Sequence, residues 1–123
     1  MKREHLYKAK RKDNGEWVYG YRYKDGIIIP TDTFLMPLTV RVDPNTFGQY
    51  TGLKDKNGTK IFEGDIILYQ GEYGEIVYDE DRAMYNIELA DLILTFDHIY
   101  TYEIEVVGNK FDNDLEVQDE QTN

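Results

Sequence analysis

The stretch that decides the fold is residues 49–69, which read QYTGLKDKNGTKIFEGDIILY. Asn57-Gly58 supplies the positive φ angles that a tight turn needs, and Gly64 permits a backbone bend that a side chain would obstruct. Asp65 can accept hydrogen bonds from nearby backbone N–H groups, as in an Asx turn. The apolar run that follows is typical of a buried strand. A turn, a bend and a buried strand in this order predict β structure in the middle of the chain.

Toward the N-terminus, residues 5–29 show three short segments that are separated by turn signals. The first segment alternates along its length, and Asn14-Gly15 and Asp25-Gly26 are the two turn signals. These features predict a three-stranded antiparallel meander. Beyond it, a turn signal at Asp43-Pro44-Asn45 follows one short strand near residues 38–42.

One face of the middle strand of this meander carries an aromatic row, Trp17, Tyr19, Tyr21 and Tyr23. Such a row can be a platform on which bases or sugars stack, or a packed sheet face where aromatic pairs stabilise neighbouring strands. No Lys or Arg alternates with the rings on that face of the strand. The packed face is therefore the favoured interpretation.

Toward the C-terminus, strands of about five residues recur roughly every ten residues with turn signals between them. The chain contains 11 Ile, 7 Val and 9 Thr against 3 Ala, a composition that favours strands over helices. We expect a mostly β protein with little helix. Residues 1–46 should form an N-terminal β-hairpin or meander with a loop, and serve as an oligomerisation element. Residues 47–111 should form an SH3-like barrel core, and residues 112–123 an acidic C-terminal tail.

Charge is distributed unevenly in this chain of net charge −10. Residues 1–60 carry 12 basic and 7 acidic side chains, whereas residues 61–123 carry 2 and 17. Three interpretations fit: a solvated acidic surface, a basic N-terminal segment that docks on the acidic half of its own or a neighbouring chain, and an acidic face that imitates DNA. Phosphate binding needs clustered Lys and Arg, and residues 2–12 offer only a short cluster, so we do not expect direct nucleic-acid binding.

Side chains that commonly perform catalysis are scarce. The chain has no Cys and no Ser, which excludes disulfides, thiolate metal sites and serine triads. The two histidines, His5 and His98, are too far apart to form a His-x-x-x-His metal pair. Carboxylates two positions apart could hold Mg²⁺ or Ca²⁺, but 24 acidic residues produce such pairs by chance. The pairs are Glu63 with Asp65, Asp79 with Asp81, and Glu103 with Glu105. We therefore expect no catalytic residue, no metal and no cofactor, and a metal-dependent enzyme is the less favoured alternative.

No segment has the length and composition of a membrane helix. The longest uncharged apolar stretch, residues 33–40, is much shorter than the ~20 residues that a spanning helix requires. The charged N-terminus lacks the apolar region of a secretory signal. We expect a cytoplasmic protein that does not bind membranes.

The central run, residues 49–66, resembles the signature of the YopX-like family, which reads Tyr-Thr-Gly-Leu-Lys-Asp-Lys-Asn-Gly-Lys-x-Ile-Tyr-Glu-Gly-Asp. Thr59 and Phe62 are mild departures from it. A second match, residues 104–109, resembles the Ile-Glu-Val-Ile-Gly-Asn strand of the family. The signature positions are Tyr50, Thr51, Gly52, Leu53, Asp55, Asn57, Gly58, Ile61, Phe62, Glu63, Gly64, Asp65, Ile66, Gly108 and Asn109.

The resemblance implies a phage or prophage protein from a Gram-positive bacterium, with an SH3-like barrel core and a homo-oligomeric assembly. It implies no established activity, and the signature positions are expected to be structural. We therefore predict a non-enzymatic accessory protein of the host-cell cytoplasm that forms homo-oligomers and binds a phage or host protein. The main alternative is an acidic DNA mimic that binds a nucleic-acid-binding protein.

Overall fold

The computed structural model describes residues 5–31, 39–96 and 102–112 of the chain. Strands dominate these residues, so the prediction of a mostly β protein is confirmed. The described elements are β1 (Tyr7–Lys10), β2 (Trp17–Lys24), β3 (Ile27–Pro30), β4 (Val40–Arg41), a 3-10 helix (Pro44–Thr46), β5 (Gly48–Lys54), β6 (Lys60–Phe62), β7 (Asp65–Tyr69), β8 (Glu72–Asp79), β9 (Met84–Glu88), β10 (Ile93–Thr95) and β11 (Ile104–Asn109).

Parts of several expectations fall outside the described residues. These are the basic residues Lys2 and Arg3, the apolar stretch up to residue 38, His98, and the acidic tail from residue 113 onward. Within the described part of the chain, no helix is long and apolar enough to cross a membrane.

Two compact units make up the chain, Met1–Tyr50 and Thr51–Asn123. Each unit has a hydrophobic core of its own. Strand β5 belongs to both units, because the boundary falls between its third and fourth residues.

In the first unit, β1, β2 and β3 form the antiparallel meander that the two turn signals predicted. Gly15 has a φ of 76° in the turn between β1 and β2, a conformation that favours glycine. In the same turn the Arg11 guanidinium donates two hydrogen bonds to the Asp13 carboxylate, which lowers the pKa of Asp13. The strand order in this unit is β4-β3-β2-β1-β5.

The sheet of the first unit curls until β4 reaches β1 from the other side. Val42 forms a bridge with Arg11, the Lys12 backbone N–H donates to the Arg41 carbonyl at 3.0 Å, and the Asp43 N–H donates to the Lys10 carbonyl at 2.9 Å. The inner surface of this curled sheet carries the core of the unit. Its buried members are Ala9, Ile28, Val40 and Val42, with Tyr7, Val18 and Phe47 packed against them.

In the second unit, five strands form an antiparallel sheet with the order β10-β9-β8-β7-β11. The second half of β5 pairs with β6 around the predicted Asn57-Gly58 turn. The edge strand β10, Ile93–Thr95, pairs with β9. The buried core of this unit consists of Ile61, Ile67, Ile76, Tyr85, Ile87, Phe96 and Ile104.

Candidate functional site

The aromatic row of β2 lies on the outer surface of the first unit, so the preference for a packed sheet face was wrong. Tyr19, Tyr21 and Tyr23 are 44%, 52% and 61% exposed. The reason is the curvature of the sheet, which turns the opposite side of β2 inward. That inner side offers the smaller residues Val18 and Gly20, and four aromatic rings would not fit a core built on Ala9.

Two lysines of β1 lie on the same side of the sheet as the rings, and one of them, Lys8, is buried there with 7% of its surface exposed. Lys8 lies directly opposite Tyr19 and Lys10 directly opposite Trp17 in the β1–β2 register. Their amines lie 4.6 Å and 5.4 Å from the centroid of the Trp17 ring, within cation–π distance. The absence of Lys and Arg between the rings on that face of β2 was therefore misleading, because the neighbouring strand supplies cations to the same face.

A third cation, Lys24, lies at the far end of the row. The Lys24 amine lies 5.5 Å from the centroid of the Tyr23 ring. Ile29 of β3, opposite Tyr21, adds an exposed aliphatic side chain. We call this surface the aromatic face; it consists of Lys8, Lys10, Trp17, Tyr19, Tyr21, Tyr23, Lys24 and Ile29. The Asn14-Gly15 turn is the feature of the sequence that could have identified these two lysines, because it fixes the register of β1 against β2 and so places Lys8 and Lys10 on the face of the rings.

Asp55, in the turn after β5, is buried, and its carboxylate accepts three backbone hydrogen bonds. One oxygen accepts from the N–H groups of Asn57 and Thr59 at 2.8 and 2.9 Å. The other accepts from the Val106 N–H of β11 at 2.9 Å. Asp55 therefore holds its own turn closed and ties that turn to a strand 51 positions away.

Asp65, at the start of β7, links the two segments that resemble the YopX-like family. Its side chain is 0% exposed. One carboxylate oxygen accepts from the Phe62 N–H at 2.8 Å, and the other accepts from the Asn109 side-chain amide at 2.9 Å. The Asn109 side-chain oxygen in turn accepts from the Phe111 N–H at 3.0 Å. This chain of bonds anchors the end of β11 against the bend before β7.

The other signature positions also serve the local fold. The Thr51 hydroxyl donates to the Ile61 carbonyl at 2.8 Å and accepts from the Leu53 N–H at 3.2 Å. Gly64 has a φ of 91°, and a Cβ there would lie 3.4 Å from the Asn109 amide nitrogen. Gly108 follows the register shift between β11 and β7. Tyr50, Ile61 and Phe62 are buried, Leu53, Glu63 and Ile66 are half-buried, and Gly52, Asn57 and Gly58 are exposed.

Two of the carboxylates considered as metal ligands, Asp65 and Asp79, accept hydrogen bonds from N–H donors of the protein. Each Asp65 oxygen accepts one of the two hydrogen bonds described above. Asp79 accepts from the N–H groups of Asp81 and Arg82 at 3.0 and 3.3 Å, and its second oxygen accepts from the Asn86 amide at 3.4 Å. Among residues 5–31, 39–96 and 102–112, no group of three or more His, Asp or Glu side chains converges as a metal site would require.

The family model described as YopX protein matches residues 2–116, almost the entire chain. The chain belongs to the YopX family. No curated protein matches the chain. Both segments that resemble the YopX signature lie inside the matched range, and the Asp65–Asn109 bond joins them in space.

Proposed function

We propose that the protein is a non-enzymatic accessory protein that acts by binding other protein chains, beginning with copies of itself. The observation that carries this proposal is the exposed aromatic face of the first unit. We place the protein in the cytoplasm of a bacterial host, as a phage or prophage product whose further partner is a phage or host protein. The proposal includes an SH3-like barrel for the second unit.

The chemistry of the aromatic face suits a protein interface. Tyrosine and tryptophan are enriched in protein interfaces because a large rigid ring buries much surface at little cost in conformational entropy. Three tyrosines on alternate positions of one strand stand about 7 Å apart from one to the next. Together with Ile29 they form a continuous surface that loses contact with water when a second chain covers it.

The signature carboxylates support a role without catalysis. A general base or a metal ligand needs a lone pair that is available to a substrate or an ion. Asp55 and Asp65 instead accept backbone and amide N–H groups within the second unit. Asp55 and Asp65, two acidic residues of the YopX signature, therefore stabilise the fold.

The test is the mass of the protein in solution as a function of concentration. We expect the unaltered protein to assemble at micromolar concentration, and the double variant Tyr21→Ala/Tyr23→Ala to remain monomeric in sedimentation velocity. The matched control is Tyr102→Ala, which removes an 80% exposed tyrosine from the second unit and should leave assembly unchanged. A monomeric unaltered protein over the same concentration range would contradict the proposal.

A further inference from the structure

We propose that the aromatic face of one copy docks on an acidic face of the second unit of another copy, in a head-to-tail contact. This inference rests on the proposed function and names the partner of the same surface. The acidic face lies on the outer side of β8, β9 and β10, and it is defined by Glu75, Asp79, Glu88 and Ile93.

The register of the five-stranded sheet places these side chains together. Ile76 and Ile87 lie opposite each other and are fully buried, so they mark the core side of the sheet. Their neighbours Glu75 and Glu88 also lie opposite each other and therefore point to the outer side. Ile93 of β10 lies opposite Glu88 and is 62% exposed. The outer side thus combines carboxylates with an exposed aliphatic group.

The strands behind the two faces have opposite and unmixed charge. Strands β1, β2 and β3 contain four basic residues and no acidic one. Strands β8, β9 and β10 contain four acidic residues and no basic one. The same contrast holds for the whole units, because residues 1–50 carry nine basic and six acidic side chains, and residues 51–123 carry five and eighteen. Complementary potentials of this kind steer association and fix the orientation of partners.

The acidic face carries an unfavourable pair that a cation from outside would relieve. Like charges directly opposite each other on neighbouring strands are destabilising. The Lys110 amine lies 3.5 Å from Glu75 and compensates one member of the pair. Within residues 5–31, 39–96 and 102–112, Glu88 makes no ion pair. Lys24, exposed at one end of the tyrosine row, is the cation that we assign to Glu88 of the other copy.

A contact between two different surfaces has a consequence for the size of the assembly. Each copy that uses its aromatic face still presents its acidic face to a further copy. Such heterologous contacts close into a ring when the rotation between copies permits it, and otherwise extend as an open chain. We therefore expect assemblies larger than a dimer.

The experiment reverses one charge on each face. We expect Lys24→Glu and Glu88→Lys each to weaken assembly about tenfold at low salt, as judged by sedimentation velocity over a dilution series. The double variant restores opposite charges across the contact and should recover assembly to within about threefold of the unaltered protein. The controls Lys54→Glu and Glu80→Lys make the same charge changes at exposed positions off the two faces and should leave assembly unchanged. Thermal midpoints show whether each variant is folded.

The outcomes separate this inference from the proposed function. If the unaltered protein assembles and Tyr21→Ala/Tyr23→Ala abolishes assembly while both charge reversals leave it intact, the proposed function stands and the acidic face is the wrong partner. If the protein does not assemble at all, the proposed function fails.

A second probe uses Trp17, the single tryptophan of the chain, which lies on the aromatic face. Quenching of its fluorescence by a single-stranded oligothymidylate at micromolar concentration would show stacking of bases and would overturn the inference.

Discussion

At the scale of single residues, Asp65 shows how much stability one buried carboxylate can control. The Phe62 N–H and the Asn109 amide both donate to it, and its side chain is 0% exposed. Asp65→Ala leaves two donors without their acceptor, and each unpaired buried donor costs about 1–3 kcal/mol. We expect the free energy of unfolding in urea, followed by circular dichroism, to fall by about 3 kcal/mol or more. Asp81→Ala removes an exposed carboxylate and should change it by no more than about 0.5 kcal/mol. Equal effects of the two substitutions would contradict this assignment.

Only the local part of this network could be predicted from the sequence. The sequence predicted that Asp65 accepts a hydrogen bond from a nearby backbone N–H group, and the donor is Phe62, three positions before it rather than after it as in an Asx turn. The partner Asn109 stands 44 positions away, and nothing in the residues around Asp65 identifies it. Asp55 shows the same limit, because its turn was visible from Asn57-Gly58 whereas its bond to Val106 depends on how β11 pairs. Short-range hydrogen bonds follow from local sequence, and long-range ones follow from the packing of strands.

At the scale of elements, the pairing of β2 with β3 depends on Gly20, a buried residue that lies opposite Pro30 of β3. A Cβ built on Gly20 would lie 2.0 Å from the Ile29 carbonyl oxygen, and that backbone cannot move without breaking the pairing. We expect Gly20→Ala to lower the free energy of unfolding by about 3 kcal/mol or more, because overpacking against backbone forces the strands apart. The measurement is urea denaturation followed by Trp17 fluorescence, since Trp17 lies on the same strand.

The matched control for Gly20 is Gly15→Ala. Gly15 has open space around it and a φ of +76°, so this substitution costs only about 1–2 kcal/mol of backbone strain. If the two glycine substitutions are equally tolerated, β2 does not approach β3 as closely as the structure shows.

The strands themselves could be predicted, but the side of the sheet that faces the core could not. Alternation and the turns at Asn14-Gly15 and Asp25-Gly26 predicted β1, β2 and β3. Alternation states which residues of a strand share a face and leaves open which face is buried. The absence of Lys and Arg on the face of the aromatic row favoured packing that face, whereas the return of β4 to β1 at Val42 and Arg11 reverses that choice. The error therefore arose from the curvature of the sheet, which is a property of several strands together.

At the scale of the whole molecule, the charge asymmetry in the sequence follows the division into units. The second unit carries eighteen acidic and five basic side chains, and repulsion among these charges opposes its compact state. At 0.1 M ionic strength, salt largely screens the repulsion between exposed charges that are more than about 10 Å apart. At a protein concentration too low for assembly, we expect added salt to raise the thermal midpoint by a few degrees.

At high protein concentration the effect of salt should be different, because the same charges then hold copies together. Assembly stabilises the folded state by mass action, so salt that dissociates the copies removes this contribution while it screens repulsion within each unit. Screening strengthens between about 0.02 and 0.3 M salt. We expect the rise in thermal midpoint over this range to shrink or reverse as the protein concentration increases. Differential scanning calorimetry at two protein concentrations measures it. The Tyr21→Ala/Tyr23→Ala variant supplies the control, since it should remain monomeric and respond at both concentrations as the dilute unaltered protein does. An identical rise at both concentrations of the unaltered protein would mean that opposite charges do not drive its assembly.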